Sequence, residues 1–570
     1  MTGVFFYERY FLLQHNIITQ IDLVFNEIFE NFLKFKFVVD IREKKGYYEL
    51  MKRKFTKISL ENTEKGMVNT MGKKGANPLT RGAGILMPIS SLPSPYGIGT
   101  LGKAAYEFAD FVKATGSKYW QVLPIGPTSY GDSPYQSFSA FAGNPYFIDL
   151  DVLVEEGLLT QEEIDEKEWG EDPTDVDYAK IYENRFDVLK LAYERSNHAR
   201  TKDFKKFEDD NAYWLNDYSM YMAVKNSFDS KSWTEWDDDI RLRKPEAVSR
   251  YEKKLKKEIG FWKFCQYKFD EQWKKLKAYV NELEIEIIGD IPLYVAMDSS
   301  DVWVHSDLFE LDEDLREINI AGVPPDLFSE TGQRWGNPLY RWDVMEQDGF
   351  AWWKERMKSC AYHYDVIRID HFIGIVNYYS IPATCPTAME GCWKKGPAKK
   401  LTDMINETIG DAKIIAEDLG VLTKPVMDLI ASNKYPGMKI LGFGLDITPD
   451  NEYLPHNYTT DNTIVYIGTH DNETLVGALM QLNEEQQERL ADYYDARNPF
   501  DIARAMIKRA YSLNCRVAIF QTQDLLYLDN KARMNFPSTI GENWRWRMTE
   551  DQYEKIDTAY YKHLAELYWR

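Results

Sequence analysis

The chain lacks most of what a disulfide-built or metal-built protein needs. Its 570 residues include five cysteines, Cys265, Cys360, Cys385, Cys392 and Cys515, an odd number without close pairs. That set makes neither a disulfide framework nor a zinc ribbon. It suits a reducing compartment, and the expected location is the cytoplasm. The eight histidines contain no H-E-x-x-H pair, so nothing in the sequence calls for a metal or another cofactor. Positive charge is scarce too. Lys plus Arg number 69 against 90 Asp plus Glu, a net charge of −21. A phosphate backbone or an anionic lipid surface needs a basic face. Nucleic-acid and membrane partners are therefore excluded, and neutral small molecules such as sugars fit. There is no internal repeat or low-complexity run. The apolar stretch near the N-terminus is broken by Glu8, Arg9, Asp22, Glu27 and Glu30, so it reads as neither a signal peptide nor a membrane span.

Aromatic rings are abundant, at 14% of residues with 29 Phe, 16 Trp and 37 Tyr. Flat apolar faces with polar rims stack on sugars, although most such rings serve core packing.

Residues 1–78 differ from the rest, with 13 basic and 9 acidic residues in an otherwise acidic chain. They read as an N-terminal appendage with an amphipathic helix over 17–35, and residues 79–570 as the catalytic part. From residue 81 onward, short apolar runs alternate with helical patterns. Eight runs read as strands: 84–89, 120–125, 286–292, 366–370, 414–418, 439–443, 463–469 and 517–521. Continuous apolar runs of this length are what parallel strands buried on both faces require. Several end at or near a carboxylate: Asp290, Asp370, Glu417 and Asp471. The predicted fold is α/β, a (β/α)8 TIM barrel with large, mostly helical insertions around its C-terminal mouth, where such a barrel places its chemistry. An open doubly wound sheet is the alternative. The uneven spacing of the strands marks 149–284 as a helical insertion, with an amphipathic helix over 253–279. It marks 299–362 as an insertion carrying a loop over the cleft.

Residues i and i+2 of a strand face the same side. In the fourth strand Arg368 and Asp370 therefore point together, with Ile367 and Ile369 opposite. A guanidinium beside a carboxylate favours its charged form, the form required of a glycosidase nucleophile; a structural ion pair would look the same. In the fifth strand the adjacent acids Glu417 and Asp418 face opposite sides. The longer Glu417 is the candidate general acid/base, and Asp418 is left to cap a helix or brace a neighbour. His470 and Asp471 offer a donor and a carboxylate to sugar hydroxyls. Four carboxylates at barrel-strand ends point to retaining glycoside chemistry.

Several longer motifs accompany these residues. They are Gly131-Asp132-Ser133-Pro134-Tyr135-Gln136-Ser137, Gly289-Asp290-Ile291-Pro292, and Gly322-Val323-Pro324-Pro325-Asp326 leading to Thr331-Gly332-Gln333-Arg334-Trp335-Gly336-Asn337-Pro338. Further along come Arg368-Ile369-Asp370-His371-Phe372, Glu417-Asp418-Leu419-Gly420 and Thr469-His470-Asp471-Asn472. Through them the chain from about residue 81 to residue 570 closely resembles the 4-α-glucanotransferases (amylomaltases, disproportionating enzymes) of glycoside hydrolase family 77. The resemblance implies a barrel with insertions and a metal-free double displacement on maltooligosaccharides and other α-1,4-glucans, with glucose as a product. It implies Asp370 as nucleophile, Glu417 as acid/base and Asp471 as the third carboxylate, gripping hydroxyls of the distorted sugar. Arg368, His371 and His470 match sugar-contacting positions, Tyr135 a stacking tyrosine, and Asp290 the polar residue ending the third strand. The segment from Asp326 to Trp335 matches a loop overhanging the cleft. Phe328, Trp335 and Tyr340 would there favour a sugar over water, against the plainer reading of a connection with buried rings.

The sequence departs from that family in residues 1–78, which have no counterpart. Ser538 and Ser129 also stand where the family usually has glycine. A hydrolase of the amylase type and a silent glucan-binding protein are the competing functions; the three carboxylates argue against the second. Gly97-Ile98-Gly99-Thr100-Leu101-Gly102 fits G-x-G-x-x-G. However, no strand runs directly into it and no acid lies at 120–123, so it is not a dinucleotide fingerprint.

Overall fold

Eight parallel strands form one sheet in the computed structural model, which describes residues 78–570 apart from Tyr130 and residues 326–328. Residues 1–77 of the expected appendage, its helix over 17–35 included, lie outside the described residues, as do Asp326 and Phe328. The strands are β1 (Gly82–Leu86), β2 (Tyr119–Gln121), β3 (Glu286–Ile291), β4 (Val366–Ile369), β5 (Lys413–Ala416), β6 (Gly437–Ile440), β7 (Thr463–Tyr466) and β8 (Val517–Gln521). Their order is β6-β7-β8-β1-β2-β3-β4-β5, so each strand pairs with its neighbour in sequence. The ends of that row meet. The Ala416 N–H donates to the Pro436 carbonyl at 3.0 Å. The Asp418 carboxylate replaces a further rung, accepting the Met438 N–H at 2.7 Å. Residue 437 has to be glycine here, because a Cβ would stand 2.2 Å from Asp418 Oδ2. The fold is thus a (β/α)8 barrel, and the open doubly wound sheet is set aside.

Alternation along the strands sorts the side chains into two cores. Leu86, Ile288, Val366, Ile415, Ile464 and Ile519 fill the barrel. Trp120, Ile287, Ile367, Ile369 and Ile414 point outward into a second, larger core beneath the helices. Each of these strands buries both faces, which explains its continuous apolar run.

Between β2 and β3 the chain is helical, ending in a long helix, Lys256–Glu282. Its buried residues Trp262, Cys265, Phe269, Trp273, Leu276 and Val280 recur at three- and four-residue intervals, one apolar stripe of an α-helix. The helix packs against β3 and the helix Lys103–Ala114. The connections after β3 and β4 add an antiparallel four-stranded sheet that the sequence did not signal. Its order is Gln333–Pro338, Asn319–Val323, Asn377–Pro382, Cys392–Lys395. Among the described residues no helix is long and apolar enough to cross a membrane.

Candidate active site

Parallel strands all end at the same mouth, and registration sets which groups meet there. Asp290 pairs with Arg368 across β3 and β4, and Arg368 with Ile415 across β4 and β5. Asp370 and Glu417 follow one residue after the registered pair Ile369 and Ala416. The Glu417 N–H donates to the Ile369 carbonyl at 3.1 Å. The two acids thus leave adjacent strands side by side.

Arg368 is the hub. Its Nη1 donates to both oxygens of Asp290, at 2.6 and 2.7 Å, and to Oδ1 of Asp370 at 2.9 Å. Asp290 is fully buried and Arg368 nearly so, whereas the Asp370 side chain is 31% exposed. Burial pushes the Asp290 carboxyl above its ordinary value, opposed by the guanidinium. Burial would lower Arg368, but its two carboxylate neighbours hold it well above its ordinary value. The Tyr135 hydroxyl donates to Asp290 Oδ2 at 2.9 Å and lies 3.1 Å from Nδ1 of His470. The Tyr135 ring stacks on His470, with centroids 4.7 Å apart.

Glu417 is buried, and its pKa is pushed up to about 7, chiefly by desolvation and then by the charge of Asp370. Two backbone donors orient it: the His371 N–H to Oε2 and the Leu419 N–H to Oε1, each at 2.7 Å. The first depends on His371 turning into a left-handed conformation, φ +52°, which reverses the chain just past β4. Burial lowers the His371 imidazole to about 4, so it is neutral near pH 7. Its Nε2 is buried with no protein partner. Trp335 packs edge-on against this ring at 4.8 Å.

Asp471 lies beyond β7 in a turn closed by the Asn472 N–H donating to the Thr469 carbonyl at 3.1 Å. Desolvation would raise it, but His470 Nε2, 3.3 Å away, and the Asn535 amide hold it down at about 2. Burial works against the His470 charge, yet Asp471 raises its pKa overall. The Asn535 Nδ2 donates to Asp471 Oδ1 at 2.6 Å.

The structure therefore brings together Tyr135, Asp290, Arg368, Asp370, His371, Glu417, His470 and Asp471, with Trp335 at the edge. Gln136 Nε2 donates to Asn337 Oδ1 at 3.2 Å, joining the Tyr135 segment to the strand that carries Trp335. Tyr340 does not overhang the cleft. Its hydroxyl donates to the Leu293 carbonyl at 3.0 Å, and its ring is buried among Tyr294, Phe309 and Trp342, so the reading as a core ring holds for it. Sequence reasoning missed Arg533, Asn535 and Trp544. Trp544 lies 5.8 Å from the rings of both Tyr135 and His470. The only signal for the first two was their place in the segment that includes Ser538.

A family model described as 4-alpha-glucanotransferase matches residues 87–552. The 4-alpha-glucanotransferase of Clostridium butyricum is 46% identical over 487 residues, covering 85% of this chain and 100% of that protein. That of Streptococcus pneumoniae is 48% identical over 475 residues, covering 83% and 94%. The solved structure of the amylomaltase from Streptococcus agalactiae in complex with acarbose superposes with a TM-score of 0.83. It is 41% identical and covers 86% of this chain and 99% of that one.

Proposed function

The chain belongs to the 4-alpha-glucanotransferase family and acts as an enzyme of that type, and we propose that it transfers α-1,4-glucan segments between maltooligosaccharides by double displacement. The observation that carries this reading is the pair Asp370 and Glu417 on adjacent strands. One touches a guanidinium; the other is raised to about 7. A nucleophile and a proton donor need such opposite surroundings.

Asp370 attacks the anomeric carbon while Glu417 gives its proton to the departing 4-hydroxyl oxygen. The glycosidic bond breaks and a covalent glucosyl-enzyme forms. The freed glucan leaves, and the 4-hydroxyl of an acceptor glucan takes its place. Glu417, now ionised, removes that proton as the oxygen attacks the anomeric carbon; a new α-1,4 bond forms and Asp370 is released. Two inversions retain the configuration. Tyr135 gives the sugar a stacking face. Asp290 holds Arg368, while His371 Nε2, His470 and Asp471 contact hydroxyls. Trp335 shields the intermediate from water, which would otherwise hydrolyse it. No step uses a metal.

We take residues 79–570 as the catalytic part, with 149–284 and 299–362 walling the mouth. A chain lacking residues 1–70 is expected to keep its activity.

The test is pure protein with maltotriose, products resolved by size over time. Glucose with a growing ladder of maltotetraose, maltopentaose and longer chains is expected. Glucose and maltose alone, with total reducing ends rising, would replace transfer by hydrolysis.

A further inference from the structure

The carboxylates Asp290 and Asp471 are held in opposite ways. Both Asp290 oxygens accept from one guanidinium nitrogen, which Asp370 shares, and Oδ2 also accepts from Tyr135, so its acceptors are taken. Asp471 is gripped through Oδ1 alone, by the neutral amide of Asn535 at 2.6 Å and by His470 Nε2 at 3.3 Å. No described residue donates to Oδ2. Its side chain is 47% exposed.

Asn535 is itself held in place. Arg533 Nε donates to the Asn535 carbonyl at 2.7 Å, and Arg533 Nη2 donates to the Asp471 carbonyl at 2.7 Å. The guanidinium also lies over the Phe536 ring, 4.5 Å from its centroid. One arginine thus ties the turn after β7 to the segment after β8, two stretches that share no ladder at this point. A cation in place of Asn535 would take both oxygens in a fork and match the charge. An amide donor adds no charge of its own beside that of His470; it fixes the rotamer and leaves Oδ2 available.

We infer that Asn535 is a positioning residue. It pins Oδ1 of Asp471 so that Oδ2 is presented to the hydroxyls of the bound glucosyl unit, with Arg533 as the strut that sets Asn535. This rests on the reading above that Asp471 contacts the sugar.

The experiment measures kcat and KM for maltotriose across pH in Asn535→Ala, Asn535→Asp and Asp471→Asn, with thermal melts of each. Asn535→Ala is expected to lower kcat about 10- to 100-fold, the size of a lost charge-assisted hydrogen bond, with KM changed less than about threefold. Asn535→Asp is the sharper probe. Two facing carboxyls share a proton at low pH, and the protonated newcomer then donates to Oδ1 as the amide does. Its activity should approach wild type on the acid side. As the shared proton is lost it should fall below that of Asn535→Ala. A merely structural role gives no such pH-dependent rescue. Wild-type kcat in Asn535→Ala overturns the inference, as does one common profile shape for the Ala and Asp variants. If Asp471→Asn keeps full activity, the role of Asp471 itself has failed; if Asp471→Asn is inactive and Asn535→Ala is normal, only the inference has.

Discussion

The two sides of the mouth hold their carboxylates by different means. On the side of β3, β4 and β5 the acids sit on or directly after strands, and the sheet ladder fixes their spacing. Asp290, Arg368, Asp370 and Glu417 are placed by register, by one guanidinium and by two backbone N–H groups. On the side of β7 and β8, Asp471 stands on a turn and depends on a second loop, through Arg533 and Asn535. The strand side holds Asp370 and Glu417, the proposed reacting pair, on the sheet ladder. The loop side anchors Asp471 at one oxygen only, which suits the proposed role of an acceptor that follows a sugar changing shape. A site on regular elements is more precise than one on loops.

That contrast is broken most violently on the strand side. Asp370→Asn and Glu417→Gln should each lower kcat for maltotriose at least about 10⁴-fold, with circular dichroism unchanged. Near-normal turnover in either variant removes that residue from the chemistry.

Next in size is the buried ion pair. Asp290→Ala leaves the Arg368 charge buried with one partner fewer, and should cost about 3–5 kcal/mol in denaturant unfolding. A loss below about 1 kcal/mol would mean that Asp370 or water takes up the guanidinium.

The pH dependence separates the sides further. In its proposed role as acid Glu417 must be protonated, and its pKa is raised to about 7. Log kcat/KM should thus fall with unit slope above about pH 7. Asp471, held down at about 2, stays ionised across the working range and gives no limb above pH 4. A flat profile to pH 9 would contradict the assignment of Glu417.

Smallest is a pair of loop substitutions. Ser538 and Ser129 both stand where the family resemblance places glycine, but only Ser538 has a left-handed backbone, φ +65°. Ser538→Gly should stabilise by about 0.5 kcal/mol, relief of the left-handed strain set against a freer unfolded chain. Ser129→Gly should destabilise by a similar amount. Thermal melts giving both shifts the same sign would break the distinction.

These differences track what a sequence can show. The eight barrel strands were legible because burial on both faces writes a continuous apolar run. Their ends were not. The run 439–443 stops as strand at Ile440, and Leu441–Gly444 turns as a 3₁₀ helix. The four-stranded sheet was illegible because its strands are short, punctuated by Gly and Pro, and paired only through tertiary contact. In the site, the i, i+2 spacing put Arg368 beside Asp370, and adjacent-residue alternation separated Glu417 from Asp418, which braces β6. Asn535 and Arg533 were missed because they reach Asp471 across 64 and 62 residues, a distance at which no local pattern speaks. Tyr340 was misjudged because an aromatic ring beside a loop motif looks alike whether it overhangs a cleft or fills a core.

The most direct test of the central claim is to trap the intermediate. Glu417→Gln is mixed with α-maltotriosyl fluoride, whose fluoride leaves without acid assistance, and the protein is read by intact and peptide mass spectrometry. A maltotriosyl adduct that builds up and maps to Asp370 is expected. An adduct on another residue, or fluoride released steadily with no adduct at all, would contradict it.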